Sequence, residues 1–411
     1  MNRRTFLAGA AAFQAQAEPG LEYRSLFCYA WDVLDEGVAA FARLVKETGL
    51  THISLASSYH EGKVLTPHNP KRHVYFVEEG AIYFPPSPQH LGRSSMKPKV
   101  SRLTAGRDIW REITEACQAQ GIRTTAWTVS LHNAHLGSTY PQHTTENAFG
   151  DRYIHALCPG QPAVVDYLRA LAGNLASYAT DAIDFESFEF IPYKHYAFIE
   201  KEGIEVTPMA NLLLSLCFCE GCLAAAKRAA VDGGNVRAAV RKWLEAYFDG
   251  GERDRSPVEA KFASIPGLTD YLQVRFGILE HCLSEVAAAV HTHKKKVIYM
   301  IMRDRFPDYT AGIDLGKLAR HVDAIEYLFY ARRPEQAPQV VRDIRTAAGT
   351  NVNVYLIVRP GHPDAKEATD VARLTQATFR AGAKGISYYN FGLFERSHMN
   401  WVRQAVRACC L

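Results

Sequence analysis

The sequence has 411 residues, 47% of them hydrophobic and 22% charged, which is typical of a globular domain and excludes a disordered or collagen-like chain. The formal net charge of +4 is spread thinly, and the basic tract at residues 294–296 lies at the end of a predicted helix, so we do not expect a nucleic-acid partner. Beyond the first residues no run reaches the ~20 apolar residues that span a bilayer, and no transmembrane anchor is predicted.

The first 17 residues predict a signal peptide. Arg3 and Arg4 precede Thr-Phe-Leu and a weakly apolar stretch that ends in an Ala-x-Ala cleavage site at residues 15–17. A pair of arginines in this position is typical of a Tat signal, which directs folded cargo across the membrane. We therefore expect the Tat export machinery as a partner, a mature chain covering residues 18–411, and a periplasmic or extracellular location.

Eight apolar stretches, each followed by polar residues, alternate with stretches that predict helices. They are residues 25–30, 51–56, 121–129, 180–189, 296–302, 322–328, 351–358 and 384–390. This alternation predicts an α/β fold with a parallel sheet, and eight such units predict a (β/α)8 TIM barrel. The intervals at about residues 61–107 and 190–266 are far longer than the others, so we expect one barrel domain with insertions after strands two and four.

Predicted strand four carries two carboxylates on one face. Strand periodicity places Ala182, Asp184 and Glu186 together, with Glu186 nearer the C-terminal end and Asp184 deeper by roughly 6–7 Å. Predicted strand six repeats the pattern, with Glu326 in the place of Asp184. Such acids are costly inside a core unless they are used or paired. We therefore predict that the catalytic acids are among Asp184, Glu186, Glu326 and Asp304, the last of which follows strand five.

Polar and aromatic residues also follow the other predicted strands, where a TIM barrel has its active site. Aromatic faces stack on sugar rings, while Asp, Asn, Arg and His side chains hydrogen-bond to hydroxyl groups, so the combination is typical of a carbohydrate site. Any one of these residues could equally have a structural role. The predicted substrate-binding residues are Trp31, Asp32, Tyr59, His60, Trp127, His132, Asn133, Arg303, Arg359, Tyr389 and Asn390.

The chain resembles a group of uncharacterised, glycoside-hydrolase-like barrels among exported bacterial proteins. The resemblance covers most of the mature chain and rests on motifs that include Ser58-Tyr-His60, Trp127-Thr-Val-Ser-Leu-His-Asn133, Asp184-Phe-Glu-Ser187 and Leu216-Cys-Phe-Cys219. It implies a barrel fold and a small-molecule or oligosaccharide substrate. By position it also implies a nucleophile on strand four and an acid/base on strand five or six. Strand seven ends in Arg359, and so departs from the related barrels that carry a Glu there.

A Cys-x-Cys-x-x-Cys motif lies in the second predicted insertion. It consists of Cys217, Cys219 and Cys222, and Cys158 is the candidate fourth member. A structural zinc ion, disulfides formed in an oxidising compartment, and buried free thiols are three interpretations that the sequence leaves open. The chain has nine cysteines, so at least one is outside any intramolecular disulfide. We do not expect this cluster to be the catalytic centre.

Three functions from different classes remain. The first is an exported hydrolase that cleaves a glycosidic bond with a pair of carboxylates and without an active-site metal or cofactor. The second is a metal-dependent sugar isomerase or lyase, in which His60, His132, Glu186 and Glu326 bind one divalent ion. The third is an inactive barrel that binds glycans.

Overall fold

The computed structural model describes residues 21–195, 201–251, 253–254, 256–302, 307–349 and 352–410. The predicted signal peptide lies outside the described residues, as do two predicted site residues, Arg303 and Asp304. In the described part of the chain no helix is both long and apolar enough to cross a membrane.

Eight parallel strands form a closed barrel, and we label them β1 to β8 in chain order. Each strand pairs with the next one, and β8 pairs with β1. This confirms the predicted (β/α)8 architecture. The strands are β1 Tyr23–Cys28, β2 His52–Tyr59, β3 Arg123–Val129, β4 Ala182–Glu186, β5 Lys296–Ile301, β6 Ala324–Leu328, β7 Asn353–Val358 and β8 Gly385–Tyr388.

Amphipathic helices surround the barrel. In Val38–Thr48, for example, Phe41, Ala42 and Val45 are buried because they lie on one side at helical spacing, and Gly49 ends the helix in a left-handed conformation. The α-helices are Ala30–Glu36, Val38–Thr48, Ile109–Ala119, Ala134–Thr139, Pro162–Ala176, Pro208–Leu214, Glu220–Arg228, Gly233–Phe248, Leu268–Thr292, Asp308–Ala311, Leu315–Leu318, Ala337–Ala348, Ala368–Arg380 and His398–Cys410.

Shorter strands follow the C-terminal ends of β2 and β3. A hairpin of Gly62–Leu65 and Val74–Val77 comes after β2, and a second hairpin of Thr144–Glu146 and Arg152–Leu157 comes after β3. Ala81–Ile82 pairs with the end of β2 and extends the barrel sheet, together with Lys99–Val100. These segments build the wall of the barrel mouth.

The barrel interior changes in character along the strands. A layer of Tyr23, Ala182, Ile298, Ala324 and Tyr355 fills the N-terminal end. The next layer is polar and buried: Ser25 hydrogen-bonds to Ser54 at 2.8 Å, and Asp184 and Glu326 lie in the same region. Aromatic side chains cover this polar layer toward the mouth, as the site geometry shows.

Candidate functional site

Glu186 is the last residue of β4, and its side chain is half-buried at the mouth. Nε1 of Trp127 donates a hydrogen bond of 2.5 Å to its Oε2. Trp127 is opposite Asp184 in the strand register, so its indole extends toward the C-terminal end of β4 to reach Glu186, two residues beyond Asp184. A donated hydrogen bond of this kind stabilises the ionised form of a carboxylate. The arrangement presents a carboxylate that is held by a hydrogen bond at the barrel mouth.

Three tyrosine hydroxyls meet beside this carboxylate. Tyr29 Oη lies 3.2 Å from Tyr59 Oη and 3.3 Å from Tyr389 Oη. Burial raises the pKa of all three phenols, and the negative charge of Glu186 raises each pKa further. The hydroxyls therefore stay neutral, and each can donate or accept a hydrogen bond. Tyr29 is 2% exposed, whereas Tyr389 is half-buried and can present its hydroxyl to a ligand.

Asp184 and Glu326 lie together below the aromatic layer, and both are 0% exposed. Ser387 Oγ donates a hydrogen bond of 2.5 Å to Oε1 of Glu326. Burial, followed by the negative charge of Glu326, raises the pKa of Asp184 well above its usual range. Burial also raises the pKa of Glu326, while its interactions with Asp184 and Ser387 oppose that effect. Burial therefore disfavours two negative charges in this pair.

This burial argues against a catalytic role for Asp184 and Glu326, which the sequence predicted as catalytic acids. A carboxyl that is 0% exposed has no surface with which to contact a substrate. Ser387 satisfies one oxygen of Glu326, while both oxygens of Asp184 and the second oxygen of Glu326 are buried without a hydrogen-bond partner. Of the predicted acids that the structure describes, Glu186 alone reaches the mouth.

Trp31 and Asp32, predicted to bind substrate, are instead part of the core. The Trp31 ring is 0% exposed and is stacked between Tyr29 and Tyr75, with ring centroids 4.3 Å and 4.6 Å apart. Asp32 is 2% exposed and accepts a hydrogen bond of 3.1 Å from Asn69. Burial raises the pKa of Asp32 to about 7. The helix that starts at Ala30 places both side chains against the first hairpin, where Tyr75 and Asn69 cover them.

The side chains of Asn133 and Asn390, which the sequence predicted to bind substrate, hydrogen-bond to backbone amides instead. Asn133 is 4% exposed, and its Oδ1 accepts a hydrogen bond from the Leu136 amide at the start of Ala134–Thr139. Asn390 is 0% exposed, and its Oδ1 accepts a hydrogen bond from the Gly392 amide. Both amide groups therefore shape the loops that follow β3 and β8 and are not open to substrate.

Arg359 lies half-buried at the end of β7, where the sequence predicted it. Its guanidinium makes two hydrogen bonds to Asp364, of 2.7 Å and 2.8 Å. It also lies 4.3 Å from the ring centroid of Tyr330. These contacts hold the cation at the rim of the mouth, beside the tyrosines.

Four imidazole rings form another part of the wall. His60 stacks on Tyr59 at 4.4 Å and on His132 at 4.9 Å, while His195 and His155 meet His132 edge-on at 4.8 Å and 5.8 Å. Burial lowers the pKa of His155 to about 4 and holds the pKa of His132 well below its usual range. Sequence reasoning identified His60 and His132 but missed His155 and His195, which lie on a hairpin and a loop whose positions depend on tertiary packing.

The ligand set of the metal-dependent alternative is not assembled. Glu326 lies in the buried layer, bonded to Ser387, while His60 and His132 line the wall. Within the described ranges, one group of His, Cys, Asp and Glu side chains has all of its ligand atoms within 4.8 Å of one another. That group is Cys158, Cys217, Cys219 and Cys222.

No protein-family model and no curated protein sequence matches the chain. Among solved structures, the chain is similar to a β-galactosidase from the psychrophilic Marinomonas ef1, with 12% identity and a TM-score of 0.56 over 94% of this chain and 59% of that one. It is similar to α-L-fucosidase isoenzyme 2 from Paenibacillus thiaminolyticus, with 12% identity and a TM-score of 0.54 over 94% of this chain and 49% of that one. It is also similar to the catalytic domain of a β-amylase from Paenibacillus polymyxa, with 12% identity, a TM-score of 0.53 and coverage of 95% and 99%.

The chain thus spans about half of the first two of these proteins and nearly the whole of the third domain. At 12% identity the likeness is one of architecture. The chain therefore has the same barrel fold as the catalytic domain of the β-amylase.

Proposed function

We propose that this chain is an exported glycoside hydrolase that cleaves a glycosidic bond at the barrel mouth, with Glu186 as a catalytic carboxylate. The observation that carries the proposal is the half-buried Glu186 at the end of β4, held by Trp127 beside three neutral tyrosine hydroxyls. The solved structures that share the fold are named as a β-galactosidase, an α-L-fucosidase and a β-amylase, which is consistent with a sugar substrate. The Arg3-Arg4 leader supports Tat export to the periplasm or beyond.

Glycoside hydrolysis uses two carboxyl groups. One is a carboxylic acid beside the leaving oxygen, and the other is an ionised carboxylate on the opposite face of the anomeric carbon. Trp127 stabilises the ionised form of Glu186, which suits the role of nucleophile or general base. The half-buried Tyr389 is placed to bind a sugar hydroxyl next to it, and Tyr29 and Tyr59 hold the Tyr389 hydroxyl by hydrogen bonds. Because Asp184 and Glu326 are sealed below, the acid must come from elsewhere, and Asp304, which follows β5 in the sequence, remains the predicted proton donor.

A panel of 4-nitrophenyl glycosides tests this proposal on the mature protein. The Glu186→Gln variant should lose at least a hundredfold in kcat/KM, which corresponds to about 2.7 kcal/mol of the barrier. Glu61→Gln is the matched control, because Glu61 is an exposed carboxylate beside the end of β2. If Glu186→Gln retains more than about a tenth of the wild-type activity, Glu186 is not catalytic. Glycan binding by a wild-type protein that hydrolyses no glycoside would instead favour the inactive barrel.

A further inference from the structure

Four cysteine sulfurs meet at one buried point outside the barrel mouth. Cys158 follows the second hairpin, Cys217 and Cys219 lie just before the helix Glu220–Arg228, and Cys222 is in the first turn of that helix. The Cys158 sulfur lies 3.4 Å from Cys222, 3.5 Å from Cys219 and 3.6 Å from Cys217. All four side chains are 0% exposed, and all four sulfurs lie within 4.8 Å of one another.

These distances separate the three interpretations that the sequence left open. The sulfurs of a disulfide are about 2.05 Å apart, and none of these pairs is bonded. A zinc ion with Zn–S bonds of about 2.3 Å in a tetrahedron places its sulfurs about 3.8 Å apart, close to the observed spacing. We propose that the four cysteines bind one zinc ion in a closed site with four thiolate ligands. With every coordination position filled by protein, the ion is structural.

The surroundings of the sulfurs suit thiolates. The amide of Glu146 donates to the sulfur of Cys217 at 3.4 Å, and the amide of Gly160 donates to the sulfur of Cys158 at 3.4 Å. N–H donors to a charged acceptor form the stronger kind of hydrogen bond. A Cβ atom at Gly160 would lie only 3.0 Å from the Cys222 sulfur, so a glycine allows the backbone to approach the cluster. The site is built from backbone as well as from side chains.

A buried cation lies beside the cluster. Zinc with four thiolates has a net charge of −2, which is costly in a core without compensation. Arg275, on Leu268–Thr292, is 0% exposed and contacts the backbone at Ser215, two residues before Cys217. Its guanidinium donates to the carbonyl oxygens of Ser215 at 3.3 Å and Thr310 at 3.0 Å. In this proposal Arg275 is the counter-cation of the metal site.

The metal content of the purified full-length chain tests the site, independently of any glycosidase activity. We expect about one zinc per chain in the wild type and a loss of at least tenfold in Cys219→Ala and Cys222→Ala. Cys282→Ala is the matched control, since Cys282 is also 0% exposed but lies outside the cluster, and it should retain its zinc. Metal-free wild-type protein with disulfides among the four cysteines would overturn the proposal, as would full zinc content in the Cys219→Ala/Cys222→Ala double variant.

Two further measurements keep the proposal testable if a cysteine variant does not fold. Cobalt-substituted wild-type protein should show the intense sulfur-to-cobalt charge transfer of four thiolate ligands, and its absence would contradict the ligand set. In competition with a chelator, Arg275→Met should bind zinc at least tenfold more weakly, while Arg275→Lys, which keeps the charge, should lose less. Equal affinity in Arg275→Met and the wild type would overturn the role of Arg275.

Discussion

Nε1 of Trp127 donates its hydrogen bond to Oε2 of Glu186 at 2.5 Å, and neighbouring aromatic rings set the orientation of the donor. The Trp127 ring is 1% exposed and meets Phe27 and Tyr59 edge-on, with ring centroids 5.0 Å apart in both cases. A donor that is locked by packing fixes the carboxylate before substrate arrives, and such preorganisation is a major source of catalytic rate enhancement.

Replacing Trp127 by Phe keeps an aromatic ring but removes the N–H donor. A hydrogen bond to a charged group contributes about 1.5–3 kcal/mol, so kcat should fall roughly ten- to hundredfold if the bond serves the reacting carboxylate. Trp110→Phe is the control, because Trp110 is 0% exposed and lies on the outer helix Ile109–Ala119. Kinetics and melting temperature of both variants check the prediction. A folded Trp127→Phe variant with wild-type kcat would show that the hydrogen bond is only structural.

Asp184→Asn tests the buried acid pair through the pH dependence of stability. The folded-state pKa of Asp184 is raised above its unfolded value near 3.9. The contribution of Asp184 to the free energy of unfolding is therefore fully present below about pH 3.9 and is lost as the pH rises toward the folded-state pKa. Because Asn does not titrate, the free energy of unfolding of the variant relative to wild type should increase from pH 5 to pH 8, by at most about 1.4 kcal/mol per pH unit.

Urea unfolding at pH 5, 6.5 and 8 measures this difference. Asp166→Asn is the control, since Asp166 has a side chain that is 64% exposed. A difference between Asp184→Asn and wild type that does not change with pH would mean that Asp184 is not protonated in the folded state.

For His155 we predict a pH dependence of stability with the opposite sign to that of Asp184. Burial lowers the pKa of His155 to about 4. Between about pH 6.5 and pH 4 the unfolded chain therefore binds a proton at this side chain and the folded chain does not. The stability contribution is therefore present above pH 6.5 and is lost as pH falls toward 4. The free energy of unfolding of His155→Gln relative to wild type should therefore be about 2 kcal/mol higher at pH 5 than at pH 8. Urea unfolding checks this, with the exposed His281→Gln as control; an equal response of the two variants would contradict it.

The leader makes a prediction that does not depend on the barrel. Changing both Arg3 and Arg4 to Lys keeps the charge but removes the paired arginines that a Tat signal requires. The precursor should then stay in the cytoplasm with residues 1–17 attached. Cell fractionation and the mass of the N-terminal peptide measure the outcome. Normal export and cleavage of the variant would rule out Tat routing.

The sequence predicted the barrel because strand alternation and helix amphipathicity are local patterns that repeat in each unit. Alternation along β4 also orders Asp184 below Glu186, as in the structure. The burial of Trp31 was not predictable in this way, because it results from Tyr75, which a hairpin brings onto its ring. His155 was missed for a related reason, since the place of a hairpin beside the mouth is decided by tertiary packing and not by period.

Chemical rescue of Glu186→Ala tests the central claim most directly. Removing the carboxylate should lower kcat/KM at least a hundredfold, and added azide should restore turnover by taking the vacated position and forming a glycosyl azide. Glu61→Ala should keep wild-type activity and should not respond to azide. The account predicts rescue in Glu186→Ala alone. Glu186→Ala with more than about a tenth of wild-type activity, and no response to azide, would contradict it.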